Sequence, residues 1–127
     1  MEKMELSQLK YIEMRQELVS YLCALADKNY QYMSWVKNDR PNGGHDELDY
    51  TIHFLYDDTD LAENPESMIG WILTSQEEAE MISNVIRALD TLFEIYGTEL
   101  TDKEYLEKNE WNDVVDAAKK AKLLFNQ

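Results

Sequence analysis

A chain of 127 residues with 44% apolar and 11% aromatic side chains is long enough to bury one hydrophobic core and too aromatic for a disordered segment. Four Gly and two Pro are too few for the frequent turns of an all-β sandwich. Twenty-six Asp and Glu against twelve Lys and Arg give a formal net charge of −14, which repels nucleic-acid phosphate and anionic lipid and attracts a basic partner.

In chain order, Met1-Glu2-Lys3-Met4-Glu5 opens a charged amphipathic segment, which is not the apolar run of a signal peptide. Ser7 reads as the N-cap of a first helix running to about Asp27. Leu9, Ile12, Val19, Leu22 and Ala26 recur on it at helical spacing, and Gln16 interrupts the stripe. Cys23, the one cysteine, sits among Tyr21, Leu22, Ala24 and Leu25, a core or half-buried helix position. It cannot form an internal disulfide, so a reducing cytoplasm is the expected compartment. Asn29 to Val36 continues in helical style after a bend, with Tyr30, Tyr32 and Trp35 expected to pack in or beside the core. The run Asp39-Arg40-Pro41-Asn42-Gly43-Gly44 is the strong loop signal.

Tyr50 to Asp58 is ambiguous, because Tyr50, Ile52, Phe54 and Tyr56 alternate as in a strand. No second clean strand exists to pair with it, and a lone strand is unstable, so a helix is predicted. Asp60 is expected to cap a short turn ending at Pro65, and Met68 to Leu73 to form a compact buried helix with Trp71 in the core. Ser75 and Glu78 make a capping box, and Gly97 is placed to stop the helix they begin. Between them Ala79, Ile82, Val85, Ile86, Leu89, Leu92, Phe93 and Tyr96 form a stripe of helical period. Thr101 and Glu104 make a second box. A last helix carries Trp111, Val114, Val115, Ala118, Ala121 and Phe125 on one face, with Lys119, Lys120 and Lys122 near the negative end of its dipole. The reading is an all-α, single-domain helical bundle of about five to seven helices spanning residues 1–127, with no internal repeat.

The parts of a catalytic site do not assemble from this sequence. It has no nucleophile elbow, no phosphate-binding Gly-rich loop and no dinucleotide fingerprint, and an apolar helical setting does not activate the Cys23 thiol. His53 and Asp57 share a helical face, with Asp58 beside them and His45, Asp46, Glu47 and Asp49 close by. That set is the raw material for a metal-dependent hydrolase, but a chain this acidic generates such groupings by chance. The outlying feature is charge distribution. From Pro41 through Ile86 there are eleven Asp or Glu and not one Lys or Arg, which forgoes the i,i+4 ion pairs that stabilise ordinary exposed helices. One surface made of Asp46, Glu47, Asp49, Asp57, Asp58, Asp60, Glu63 and Glu66 is therefore the candidate partner-binding site, with neither metal nor cofactor expected.

Two segments carry a resemblance. Phe54-Leu55-Tyr56-Asp57-Asp58-Thr59-Asp60-Leu61, leading to Pro65 and Ile69-Gly70, is similar to a segment of small bacterial proteins. So is Trp111-Asn112-Asp113-Val114-Val115-Asp116-Ala117-Ala118. With its size, acidity and helical make-up, the chain resembles immunity proteins of contact-dependent growth inhibition and other polymorphic toxin systems. The resemblance implies an antitoxin that covers the basic groove of a cognate toxin, often a nuclease. Asp57, Asp58 and Asp60 would then be surface acids, and Leu55, Pro65, Gly70 and Trp111 structural. The expected function is a non-enzymatic, cytoplasmic binding protein with a basic protein partner, and without direct contact to nucleic acid or membrane. An acidic adaptor or nucleic-acid mimic is the alternative.

Overall fold

Apolar periodicity is strongest in the second half of the chain, and two long helices form there. The computed structural model describes residues 4–37 and 46–126, so the predicted Asp39–Gly44 loop lies outside the described residues. The described residues form helices α1 (Ile12–Leu25), α2 (Lys28–Gln31), α3 (Leu48–His53), α4 (Gln76–Tyr96), α5 (Asp102–Leu106) and α6 (Trp111–Phe125). Both α2 and α3 run on into a π-helical turn, at Tyr32–Val36 and Phe54–Asp58, and 3-10 turns lie at Leu6–Gln8 and Pro65–Met68. Among the described residues no strand forms. The bundle is all-α as the periodicity predicts, and Tyr50 to Asp58 is helical throughout.

Ser75 caps α4 by accepting from the Glu78 N–H, and Gly97, at φ 77°, ends it with its own N–H bonded to Phe93 O. That positive φ is cheap only for glycine. The buried face of α4 is Ala79, Ile82, Val85, Ile86, Leu89 and Leu92, and that of α6 is Trp111, Val114, Val115, Ala118, Ala121 and Phe125. The two faces pack on each other, and α6 packs on α1 as well. Small Ala118 and Ala121 allow this close approach on two sides. Thr101 and Glu104 close the reciprocal capping box of α5 as expected.

Trp111 is 1% exposed and makes an edge contact with Trp35 at 6.1 Å. Its Nε1–H donates to Gln31 Oε1 at 2.9 Å, and Gln31 Nε2 donates to Ala24 O and Leu25 O, the last carbonyls of α1. One fully buried Gln thus caps α1 and satisfies the indole, which removes the cost of burying either polar group.

Three expectations need correction. The first helix begins at Ile12, not after Ser7, because the preceding backbone is committed elsewhere. Met4 N–H donates to Thr74 O, Lys10 N–H to Gly70 O and Tyr11 N–H to Trp71 O. The same pairing keeps Met68 to Leu73 from becoming a helix. Only Pro65–Met68 is helical, as a 3-10 turn. Gly70, at φ 94°, then reverses the chain so that its N–H bonds Leu73 O while the N–H groups of Trp71, Ile72 and Leu73 converge on Met68 O. Trp71 therefore points outward, 39% exposed, stacked on Tyr11 at 5.5 Å with Lys10 Nζ 4.5 Å from its ring centroid.

The third correction concerns Glu78, whose side chain does not return to the Ser75 N–H. It is fully buried and grips Arg15 of α1 in a bidentate pair, both N–O distances 2.8 Å, while its Oε1 also accepts from Thr74 N–H at 2.7 Å. Arg15 further donates to Ile72 O at 3.0 Å and lies 4.7 Å from the Phe125 ring centroid. The inward face of α1 is thus Arg15, Leu18, Leu22 and Leu25, whereas Ile12 is exposed and Val19 half-buried. Burial pushes the Glu78 carboxyl up, but the hydrogen bonds from Arg15 and Thr74 outweigh it and hold the carboxyl below its ordinary range.

Three stability tests follow from this core. Trp111→Ala should cost about 3–5 kcal/mol in denaturant unfolding, as deletion of a buried large aromatic does, and a loss within the surface range of about 0.5 kcal/mol would contradict its anchoring role. Arg15→Ala should cost roughly 3–5 kcal/mol, because it strands a buried carboxylate. Because the folded pKa of Glu78 is depressed, its contribution is present above the ordinary glutamate value of about 4.3 and is lost as pH falls through the folded value. The stability gap between wild type and Glu78→Gln should accordingly narrow below about pH 4.3 in urea titrations, and a gap constant with pH would refute the linkage.

Candidate functional site

The acidic stretch predicted as a partner surface divides into three parts once folded. Asp46 is half-buried, and its Oδ2 accepts from Tyr30 O–H at 2.6 Å and from Trp35 Nε1–H at 2.9 Å. It fastens the π turn of Tyr32–Val36 to the start of α3. Glu47, half-buried, is the N-cap residue of α3. Asp58, Asp60, Glu63 and Glu66 are exposed along the π turn, the following loop and the 3-10 turn. Asp49 and Asp57 share a helical face with His53 between them, His53 Nδ1 lying 2.7 Å from Asp57 and Nε2 3.3 Å from Asp49. Both ring nitrogens can donate at once only in the imidazolium form.

Asp49 and Asp57 also stand on the rim of a cleft of about 450 Å³, within the range of ligand-sized pockets. Its floor is apolar: Leu48 and Ile52 of α3, Phe93 of α4, Leu100, and Tyr105 of α5. Phe93 and Tyr105 meet edge to face at 5.7 Å. The two phenols in the lining are already engaged, Tyr105 O–H with Gly97 O at 2.6 Å and Tyr56 O–H with Asp90 at 2.6 Å. The lining also includes Glu99 and Asp102, and among the described residues no Lys or Arg lines the cleft. Four carboxylates therefore surround an apolar floor.

Asp102 accepts from Leu48 N–H at 3.1 Å, which ties the start of α5 to the start of α3 and closes one end of the cleft. Burial raises its carboxyl, the Leu48 hydrogen bond lowers it, and the charges of Glu47, Asp49 and Asp46 raise it again, leaving it above its ordinary range. Glu99 and Asp102 escape sequence reasoning because they lie more than forty residues beyond Asp57, and Asp102 reads simply as a first-turn acid of α5. The acids that follow Gly97 were the available signal. Among the described residues no group of three or more His, Cys, Asp or Glu is placed to hold a metal ion. No described helix is long and apolar enough to cross a membrane.

Residues 9–127 match the family model described as Domain of unknown function (DUF7945). The chain belongs to this family. No curated protein and no solved structure matches the chain. The span matched by the DUF7945 model contains the whole cleft and both members of the Arg15–Glu78 pair.

A raised folded pKa at Asp102 means that its stabilising contribution is present below the ordinary aspartate value of about 3.9 and is lost as pH rises through the folded value. Asp102→Asn keeps an oxygen for the Leu48 N–H and removes the repelled charge. It should be at least as stable as wild type at pH 7, with the advantage disappearing at about pH 3.9 and below. Thermal unfolding across that range checks this, and a variant less stable at pH 7 than at pH 3.5, relative to wild type, would show that the charge is favourable.

Proposed function

We propose that this chain is a non-catalytic binding protein that captures a basic protein partner on its acidic face. In the specific form we favour, it is an antitoxin that covers the cationic substrate groove of a toxin domain in the cytoplasm. The observation that carries the reading is one of charge. Asp49, Asp57, Asp58, Asp60, Glu63 and Glu66 are all exposed, on a stretch whose 46 residues from Pro41 to Ile86 contain no Lys or Arg.

Exposed like charges without interspersed counter-charges repel one another and give up the small gain of helical ion pairs. A cationic partner reverses both costs and is steered inward by the same field, which acts on association rate and specificity more than on raw affinity. The resemblance of the chain's size, acidity and helical make-up to immunity proteins supports a toxin as the partner class. An inhibitor of this kind works by occupancy and needs neither turnover nor a cofactor.

The test begins with a pulldown at low ionic strength and coexpression with any toxin gene adjacent to that of the chain. The recovered partner should be basic, and its association rate should fall steeply with salt, since exposed charges are screened beyond about 10 Å at 0.1 M. Replacing Asp58, Asp60 and Glu63 by Lys should slow association and flatten the salt dependence while leaving the helical circular dichroism unchanged. A partner that binds with a salt-independent rate would refute the reading. A basic partner without toxicity would keep the binding role and remove the antitoxin form.

A further inference from the structure

Taking as given the reading that this face meets a basic protein, we propose that the cleft between α3 and the α4–α5 corner seats an arginine side chain of that partner, flanked by apolar residues of the same segment. The cleft is where the acidic surface stops being merely acidic. A purely electrostatic face has no use for an exposed apolar floor, yet Ile52, Phe93 and Leu100 stand half-open at the bottom of the cleft under four carboxylates. An occupant must cover apolar surface and present positive charge within a few ångströms of it.

Long cationic side chains meet that demand, because their stems lie on apolar surface while their heads reach the polar rim. Arginine meets it better than lysine. Its guanidinium is more weakly hydrated, stacks on aromatic faces such as Phe93 and pairs with carboxylates through a fork of donors. Asp49, Asp57, Glu99 and Asp102, which all line the cleft, are the carboxylates available to such a fork. The phenols of Tyr56 and Tyr105 spend their protons on Asp90 and Gly97, and the ionised carboxylates are the stronger acceptors for the cation. His53 lies between Asp49 and Asp57, and an incoming guanidinium competes with its ring nitrogens for both carboxylates.

The experiment uses the full chain and a fluorescein-labelled synthetic amphipathic helix bearing arginine on one face and leucine on the other. Two control peptides replace every arginine by lysine or every leucine by serine. Binding is read by anisotropy and mapped by amide chemical shifts. The arginine–leucine peptide should bind about tenfold or more tighter than the serine control and several-fold tighter than the lysine control, with shifts centred on Ile52, Phe93 and Leu100. Ile52→Lys should weaken it about tenfold or more, and Glu99→Lys, on an exposed rim residue that leaves the fold intact, should act in the same direction. Replacing Asp58, Asp60 and Glu63 by their amides, outside the cleft, should weaken it by less than about threefold. The cleft proposal falls if the serine control binds equally well, if the outer triple variant is as damaging as Glu99→Lys, or if no peptide binds. The broader reading stands or falls separately, on the salt dependence of association with the natural partner.

Discussion

The buried Arg15–Glu78 pair is the constraint on which the rest of the structure depends. Neither ion can be left alone at that depth, so the first turn of α1 and the first turn of α4 must be tied together. Their remaining hydrogen-bonding capacity is spent on backbone, Arg15 on Ile72 O and Glu78 on Thr74 N–H. The pair therefore fixes two helices and also the chain between Met68 and Ser75, which in turn receives the N-terminal strap through Thr74 O, Gly70 O and Trp71 O. An isosteric apolar replacement of both ions would relieve their desolvation but would strand a buried carbonyl and a buried N–H. The usual tolerance of such swaps does not extend to this site.

With α1 and α4 locked in this way, α6 drops into the groove between them and covers the pair with Phe125. Gln31 performs the corresponding service at the other end of α1, closing its last carbonyls and accepting the Trp111 indole. The two buried polar nodes differ in kind. The first sets which helices pair, whereas the second ends a helix and fixes the angle at which α2 leaves it. Between them the apolar stripes have one register in which Arg15, Glu78, Gln31 and the Trp111 indole all find their partners.

Elements whose signal is local were legible in the sequence. The stripes of α4 and α6, the Gly97 stop and the capping box of α5 depend on residues within a turn or two of one another, and they fold as written. What escaped was non-local. A charged side chain in a helix reads as a solvent residue, so Arg15 was passed over and the stripe of α1 was drawn through Ile12 and Val19. Glu78 three residues after Ser75 reads as a capping box, and only the presence of Arg15 across the core redirects it. Met68 to Leu73 is apolar enough for a helix, but its Gly70 and Trp71 carbonyls bond across the chain to a strap sixty residues earlier. The candidate site divides by the same rule. Asp49 and Asp57 lie within one helical segment and were found, whereas Glu99, Asp102 and the floor of Phe93, Leu100 and Tyr105 reach the cleft only through the Gly97 turn.

The placement of the positive charges completes the picture. Arg15 is consumed in the core, and Lys10, Lys37 and Lys108 lie over the rings of Trp71, Tyr32 and Tyr96. Lys119, Lys120 and Lys122 gather toward the end of α6, where the helix dipole favours them. None of these is contributed by the stretch that carries α3 and the loop after it. Charge segregation of this kind acts at two ranges. Over tens of ångströms at low salt, the exposed carboxylates of residues 49–66 set the direction from which a cation approaches, a kinetic effect that screening removes. Within the cleft, under the proposed reading, Ile52, Phe93 and Leu100 would exclude water from an arriving stem, and pairing with Asp49, Asp57, Glu99 or Asp102 would govern how long it stays. Salt dependence of the on-rate and apolar dependence of the off-rate are then properties of different residues, and either can be removed while the other persists.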